Sequence, residues 1–277
     1  MTGNTIGDAA IVLGIIGLAG AVLLFLATKI FKTEENPLVD KVLEHLPGAN
    51  CGGCGFAGCH ALAEAIVKAG RVGEGLTCTA SSPAALKAIA QIVGGDVPEA
   101  RPRMAVVRCN GSCENAPAKV DYDGVKSCYF ANALYAGESA CPYGCLGCGD
   151  CVAACKFGAL SLNDSTGLPE VNMGKCVACG TCVAACPRHI IELRYKNPEG
   201  ESFVVSCVNK EKGAVAKKNC AVACIGCGKC AKTCPCEAIT IADNLAYIDD
   251  KKCQSCGQCV EVCPSGAIRV VEITKLC

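Results

Sequence analysis

The chain has 277 residues, 28 of them cysteine, and its 26 basic side chains are balanced by 26 acidic ones. Aromatics make up only 4% and Trp is absent, which excludes a large core packed on rings, while the length allows two or three small domains. Such cysteine density fits a disulfide scaffold or a metal protein. If the thiols hold iron–sulfur clusters, each oxidised four-iron cluster with its thiolates adds roughly −2, and the resulting acidic surface argues against a nucleic-acid partner.

Residues 9–31 read AAIVLGIIGLAGAVLLFLATKIF, and no charge falls between Ala9 and Thr28. That run is long enough to span a bilayer as a helix. A cleaved signal peptide needs a positive segment before the apolar run, and the only charged side chain there is Asp8. The positive charges follow, at Lys29 and Lys32, which places the rest of the chain on the cytoplasmic side of a single-pass anchor. Gly14, Gly17 and Gly20 offer a close-packing face to another membrane helix, or are simply small residues in lipid. A cytoplasmic location keeps thiols reduced, so the metal reading is favoured over disulfides.

After a polar linker (Lys32–Asn36), Pro37 opens a helix whose apolar stripe is Leu38, Val39, Val42, Leu43 and Leu46, ended by Pro47 and Gly48. The segment CGGCGFAGC supplies Cys51, Cys54 and Cys59, a helix is expected over Ala61–Ala69, and Cys78 supplies a fourth thiol. The spacing C-x2-C-x4-C-x18-C suits a structural zinc or a four-iron cluster. Its many glycines, which let backbone wrap a bulky group, favour the cluster.

Four runs of C-x2-C-x2-C-x3-C follow, starting at Cys145, Cys176, Cys224 and Cys253. In this run three thiolates bind one four-iron cluster and the fourth reaches a second cluster, so the motifs must pair. Cys145, Cys148 and Cys151 are expected to bind one cluster with Cys186. Cys176, Cys179 and Cys182 bind its partner with Cys155. In the duplicated unit, Cys224, Cys227 and Cys230 go with Cys263, and Cys253, Cys256 and Cys259 go with Cys234. Between motifs, hairpins are expected from Ala159–Leu162 and Pro169–Asn172, and from Ala238–Ile241 and Ala246–Asp249. Three runs continue into proline (Pro187, Pro235, Pro264), but the first continues into Lys156. Two readings of Lys156 are open: a charge that raises the potential of the cluster bound by Cys155, or a tolerated substitution.

Twenty of the 28 cysteines fall in these five groups. The remainder are Cys109, Cys113, Cys128, Cys141, Cys207, Cys220, Cys236 and Cys277. Part of this set repeats, because C-x12-C-x3-C precedes both units, at Cys128 and Cys141 and at Cys207 and Cys220. Cys109, Cys113, Cys128 and Cys141 are candidates for a sixth cluster, with free thiols or structural contacts as the other readings. Cys277 is expected to be a free thiol.

The order of anchor, CGGCGFAGC with Cys78, and paired ferredoxin motifs resembles the B subunit of the Rnf complex, also called Rsx. The CGGCG-x3-C segment directly behind an N-terminal helix is the specific part of the likeness, which covers essentially the whole chain. Common members carry one ferredoxin unit; this chain carries two, like the longer forms of anaerobes. The resemblance implies an iron–sulfur electron-transfer subunit of a membrane complex that moves electrons from soluble ferredoxin to NAD⁺ and exports sodium or protons. Its partners would be other membrane and peripheral subunits. Two other classes stay open: a membrane-tethered polyferredoxin serving a hydrogenase or other dehydrogenase, and a complex that keeps a redox-sensing regulator reduced. No G-x-G-x-x-G after a strand and no P-loop occur, so reaction with NAD⁺ falls to another subunit. The expected fold is α+β: a transmembrane anchor (1–31), a small helical 4Fe-4S domain (32–100), and two tandem 2[4Fe-4S] ferredoxin units (101–200 and 201–277). Five [4Fe-4S] clusters are expected, or six.

Overall fold

The computed structural model describes residues 5–30, 36–73, 75–95, 97, 102–134, 137–197 and 201–271. Helix α1 (Thr5–Ile30) has 26 residues, and its side chains from Ile11 to Leu26 are exposed. Among the described residues, however, no helix is long and apolar enough to cross a membrane. Phe31 and Lys32 lie outside the described residues, as does Cys277.

Three helices follow. In α2 (Pro37–Glu44) the Asn36 Oδ1 accepts from the Leu38 N–H at 3.0 Å and Pro37 occupies the first turn, where no N–H is missed. Helix α3 (Cys59–Ala69) begins at the third cysteine of its group and stops at Gly70, which takes the left-handed conformation. Helix α4 (Pro83–Val93) is capped by the Ser82 hydroxyl, which accepts from the Ala85 N–H. Their facing sides bury Val42, Leu62, Ile66 and Ile89 completely. Of the expected α2 stripe, Val39, Val42 and Leu46 are buried, Leu43 packs at the edge, and Leu38 faces out.

The two ferredoxin units share one plan. In the first, β1 (Arg103–Val107), α5 (Cys128–Leu134), α6 (Asp150–Ala153), β2 (Leu160–Leu162), β3 (Pro169–Val171), α7 (Thr181–Ala185) and β4 (Ile191–Tyr195) follow in order. In the second the order is β5 (Ser202–Val205), α8 (Gly213–Asn219), α9 (Lys229–Thr233), β6 (Ile239–Ala242), β7 (Leu245–Ile248), α10 (Gln258–Glu261) and β8 (Ile268–Val271). The hairpins expected between motifs form: Leu160 lies opposite Val171, and Ile239 opposite Ile248. The second turns on Asp243 and Asn244, both at positive φ, the pattern of a two-residue turn that suits strand twist. Each unit also closes its two ends with an antiparallel pair, β1 with β4 and β5 with β8, setting Ala105 opposite Leu193 and Val204 opposite Arg269.

The two units meet through Met104 and Val106 of β1 and Val204 of β5, all buried. Buried Arg194 crosses this seam. Its guanidinium donates to the Ile248 carbonyl at 2.5 Å, lies 3.6 Å from an Asp250 oxygen and stacks on the Tyr247 ring. Arg108 stacks on the same ring and donates to the Val205 and Cys207 carbonyls. This buried arginine, ion-paired with Glu192 on one side and bonded to Ile248 on the other, ties the two units together, although its Nε has no hydrogen-bond partner.

Candidate functional site

Each ferredoxin run folds the same way. The glycine before the third cysteine sits in the left-handed region (Gly149 at φ 83°, Gly180 at 81°, Gly228 at 74°, Gly257 at 76°) and opens a short helix. An L side chain is strained there, which explains the C-G-x-C core of the motif. The helix presents the third cysteine inward, and Cys151, Cys182, Cys230 and Cys259 are all buried. The chain then turns extended at Cys186 and Cys234, leading the fourth thiol away from its own loop.

The fourth thiol arrives in the cavity of the paired motif. Cys155 lines a cavity with Cys176, Cys179 and Cys182; its empty space, open mouth included, is about 300 Å³. Cys186 joins Cys145 and Cys151 around about 380 Å³, and Cys148 neighbours Cys128 at its edge. In the second unit Cys263 joins Cys224, Cys227 and Cys230 (about 330 Å³), and Cys234 joins Cys253, Cys256 and Cys259 (about 310 Å³).

Backbone N–H groups point at these sulfurs. Ala105 donates to Cys176 Sγ at 3.4 Å, Ala159 to Cys155 Sγ at 3.3 Å and Ala267 to Cys263 Sγ at 3.3 Å. Such donors favour thiolate. Where burial dominates, the thiols are held protonated: burial, with neighbouring thiolates adding, pushes Cys145, Cys182 and Cys259 up to about 12. At Cys263 burial acts the same way, but N–H donors from Ser265 and Ala267 outweigh it and the net shift is downward. Thiols held neutral when bare must release protons to bind iron, so loading couples to proton loss.

Among the described residues, no group of three or more His, Cys, Asp or Glu side chains converges as a site for a metal ion. One zinc at about 2.3 Å from each sulfur would draw four sulfurs to within roughly 4 Å of one another. The thiols ring cavities instead, the arrangement a multi-iron cluster requires.

In the helical domain Cys59 and Cys78 are buried in the α2–α3–α4 core, Cys54 packs against it, and Cys51 is half-buried on the loop. The Asn50 Oδ1 accepts from the Cys59 N–H at 2.7 Å and pins that loop to the start of α3. The loop presses on the first ferredoxin unit: a Cβ on Gly53 would stand 2.7 Å from Cys179 Cα, so only glycine fits. Beside it, the Lys156 ammonium donates to the carbonyls of Asn50 (3.1 Å) and Ala49 (3.4 Å). The residue that breaks the proline pattern therefore joins two cysteine domains, a role neither sequence reading of Lys156 contained.

The structure divides the expected group of Cys109, Cys113, Cys128 and Cys141. Cys128 lines the cavity of Cys145, Cys151 and Cys186. Cys113 is exposed, with its thiol toward the Thr166 carbonyl. Only Cys109 and Cys141 stay together, and they line a fifth cavity with Cys207 and Cys220 from the second unit. Packing of β1 on β5 brings Cys109 and Cys141 to Cys207 and Cys220, a neighbourhood that spacing along the chain does not show. Cys236 lies beside Cys234, with 3.6 Å between sulfurs.

A family model for a 4Fe-4S dicluster domain matches residues 144–190 and 223–267, and a model for an Fe-S cluster matches residues 46–72. The chain is 46% identical to the B subunit of the proton-translocating ferredoxin:NAD(+) oxidoreductase complex of Clostridium ljungdahlii, over 90% of this chain and 86% of that protein. It is 42% identical to the B subunit of the Na(+)-translocating ferredoxin:NAD(+) oxidoreductase complex of Acetobacterium woodii, over 88% of this chain and 71% of that one. With the B subunit of the ion-translocating oxidoreductase complex of Methanosarcina acetivorans it shares 43% identity, over 91% and 93%.

Proposed function

The chain belongs to the B-subunit family of ion-translocating ferredoxin:NAD⁺ oxidoreductase complexes, and on that premise we propose that it takes electrons from reduced soluble ferredoxin and relays them through [4Fe-4S] clusters toward the other subunits. The observation that carries this reading is the exchange of fourth cysteines. Each of the four motif cavities takes one thiol from the paired motif, so the sites of a unit are built as couples.

The ligand sets are Cys145, Cys148, Cys151 and Cys186; Cys155, Cys176, Cys179 and Cys182; Cys224, Cys227, Cys230 and Cys263; and Cys234, Cys253, Cys256 and Cys259. The helical domain supplies a fifth set, Cys51, Cys54, Cys59 and Cys78. A bound cluster supplies reversible one-electron chemistry. The protein positions the thiolates, aims N–H donors at them and shields them with apolar walls such as Leu160, Leu193 and Ile268, which together set potential. Gly53 against Cys179 brings the helical domain's loop to the neighbouring site.

The uncharged run of α1 supports an anchor at residues 1–31 in the cytoplasmic membrane, with the clusters of residues 32–277 on the cytoplasmic side; exposure of its apolar side chains from Ile11 to Leu26 agrees with a lipid or partner-helix environment. No charge lies within that run, so this helix offers no ion path of its own, and NAD⁺ reacts on another subunit. The test is ferredoxin-dependent NAD⁺ reduction by membrane vesicles. Deleting this chain should abolish it; intact activity without the chain would overturn the reading.

A further inference from the structure

We propose that Cys109, Cys141, Cys207 and Cys220 bind an additional [4Fe-4S] cluster in the seam between the two ferredoxin units, and that electrons cross from one unit to the other through it. The proposal rests on the iron–sulfur reading above and extends it to four thiols that no ferredoxin motif includes.

The seam cavity matches the motif cavities in kind. Its empty space is about 360 Å³, within the span of about 300 to 380 Å³ of the four motif cavities. All four thiols are buried. They lie close enough to act on one another: Cys141 and Cys220 both oppose ionisation of Cys109, and Cys141 and Cys207 oppose that of Cys220.

The donors are also those of a cluster site. Cys109 Sγ accepts from the N–H groups of Gly111 and Cys145, each at 3.4 Å. Asn209, fully buried, turns its amide toward Cys141 Sγ at 3.5 Å. That amide is held by Glu211, whose N–H donates to Asn209 Oδ1 at 2.7 Å and whose carboxylate accepts from Nδ2 at 3.1 Å. Backbone N–H groups of Asn209 and Cys224 face Cys207, and that of Val222 faces Cys220. Arg269 braces the wall by donating to Asn110 Oδ1 and the Cys109 carbonyl.

Position gives the site its use. The Cys145 N–H bonded to Cys109 belongs to a ligand of the first unit, and the Cys224 N–H facing Cys207 belongs to a ligand of the second. One backbone step therefore separates the seam site from a cluster on either side. Loading releases one proton from each thiol, since thiolate is the ligand. In each transfer one cluster is oxidised as its neighbour is reduced, and the electron originates in reduced ferredoxin.

Iron and acid-labile sulfide, counted on the anaerobically purified full chain, test this. The wild type should hold about 24 irons, four per cluster, and Cys207→Ser/Cys220→Ser about 20. Cys113→Ser should keep about 24, which separates this ligand set from one including Cys113. About 20 irons in the wild type, or a seam variant that loses none, would overturn the seam cluster and leave the other five standing. One zinc in place of four irons would overturn it too. A chain without iron would instead overturn the reading on which it rests. If the double variant does not accumulate, the wild-type count decides alone.

Discussion

The two ferredoxin units repeat each other motif by motif, yet equivalent positions do different work. Cys128 and Cys207 share their spacing to the motif that follows, but Cys128 opens α5 and lines a motif cavity, while Cys207, two residues past β5, lines the seam with Cys109, which stands two residues past β1. Lys156 and Pro235 are also partners; the lysine reaches the carbonyls of Ala49 and Asn50. Cys179 and Cys256 form a third pair: Cys179 is covered by Gly53, whereas Cys256 is exposed. The repeat holds where a thiol must meet a cluster and breaks where a unit meets something else. The first unit is specialised on two sides, toward the helical domain and toward the second unit; the second unit keeps an open face.

Removing a ligand should have the largest effect and tests whether the exchange holds in both units. Cys155→Ser should cost about four irons and disturb the EPR signal that Cys176→Ser disturbs, leaving the signal set by Cys145 in place. Cys234→Ser should do the same with Cys253. Signals that sort by motif, with Cys155 following Cys145, would refute the pairing.

Next is the seam. Arg194→Met removes the bond to Ile248 and one partner each from Glu192 and Asp250, which keep Arg108 and the Tyr195 N–H, at a cost of about 2–4 kcal/mol in urea unfolding. Its repeat partner Val271 carries no such load, so Val271→Ala should cost about 1 kcal/mol. Equal losses would mean that the seam is not specialised.

Smaller still is the docking of the helical domain. Gly53→Ala forces the loop off the Cys179 backbone and should cost about 1–3 kcal/mol, read as faster proteolysis between this domain and the first unit. The smallest effect belongs to Lys156→Pro, which removes two exposed hydrogen bonds worth under about 1 kcal/mol together. It should loosen the same contact and leave the potential of the site holding Cys155 unchanged. A clear shift in that potential would restore the tuning role.

That each fourth thiol lines the cavity of the paired motif was legible in the sequence, because C-x2-C-x2-C-x3-C leads that thiol away from its own loop, and the inter-motif hairpins followed from alternation around short turns. The closing pairs β1–β4 and β5–β8 were not, since each joins strands from opposite ends of a unit and MAVV or SFVV alone names no partner. Helix α4 was announced by Ser82-Pro83 but has no cysteine to draw notice. The seam set was half visible: the repeated C-x12-C-x3-C preface marked Cys141 and Cys220 as equivalent. Nothing local showed that β1 and β5 pack together, and that packing gathers Cys109, Cys141, Cys207 and Cys220. Lys156 was visible as a departure, but its partners lie more than a hundred residues earlier in the chain.

A cluster in the seam would make one unbroken electron path through both units. The most direct measurement is ferredoxin-dependent NAD⁺ reduction by membrane vesicles carrying Cys207→Ser/Cys220→Ser, alongside EPR of the five remaining clusters. Activity should be as low as in vesicles lacking this chain, with the five cluster signals retained. Wild-type activity with those signals intact would contradict it.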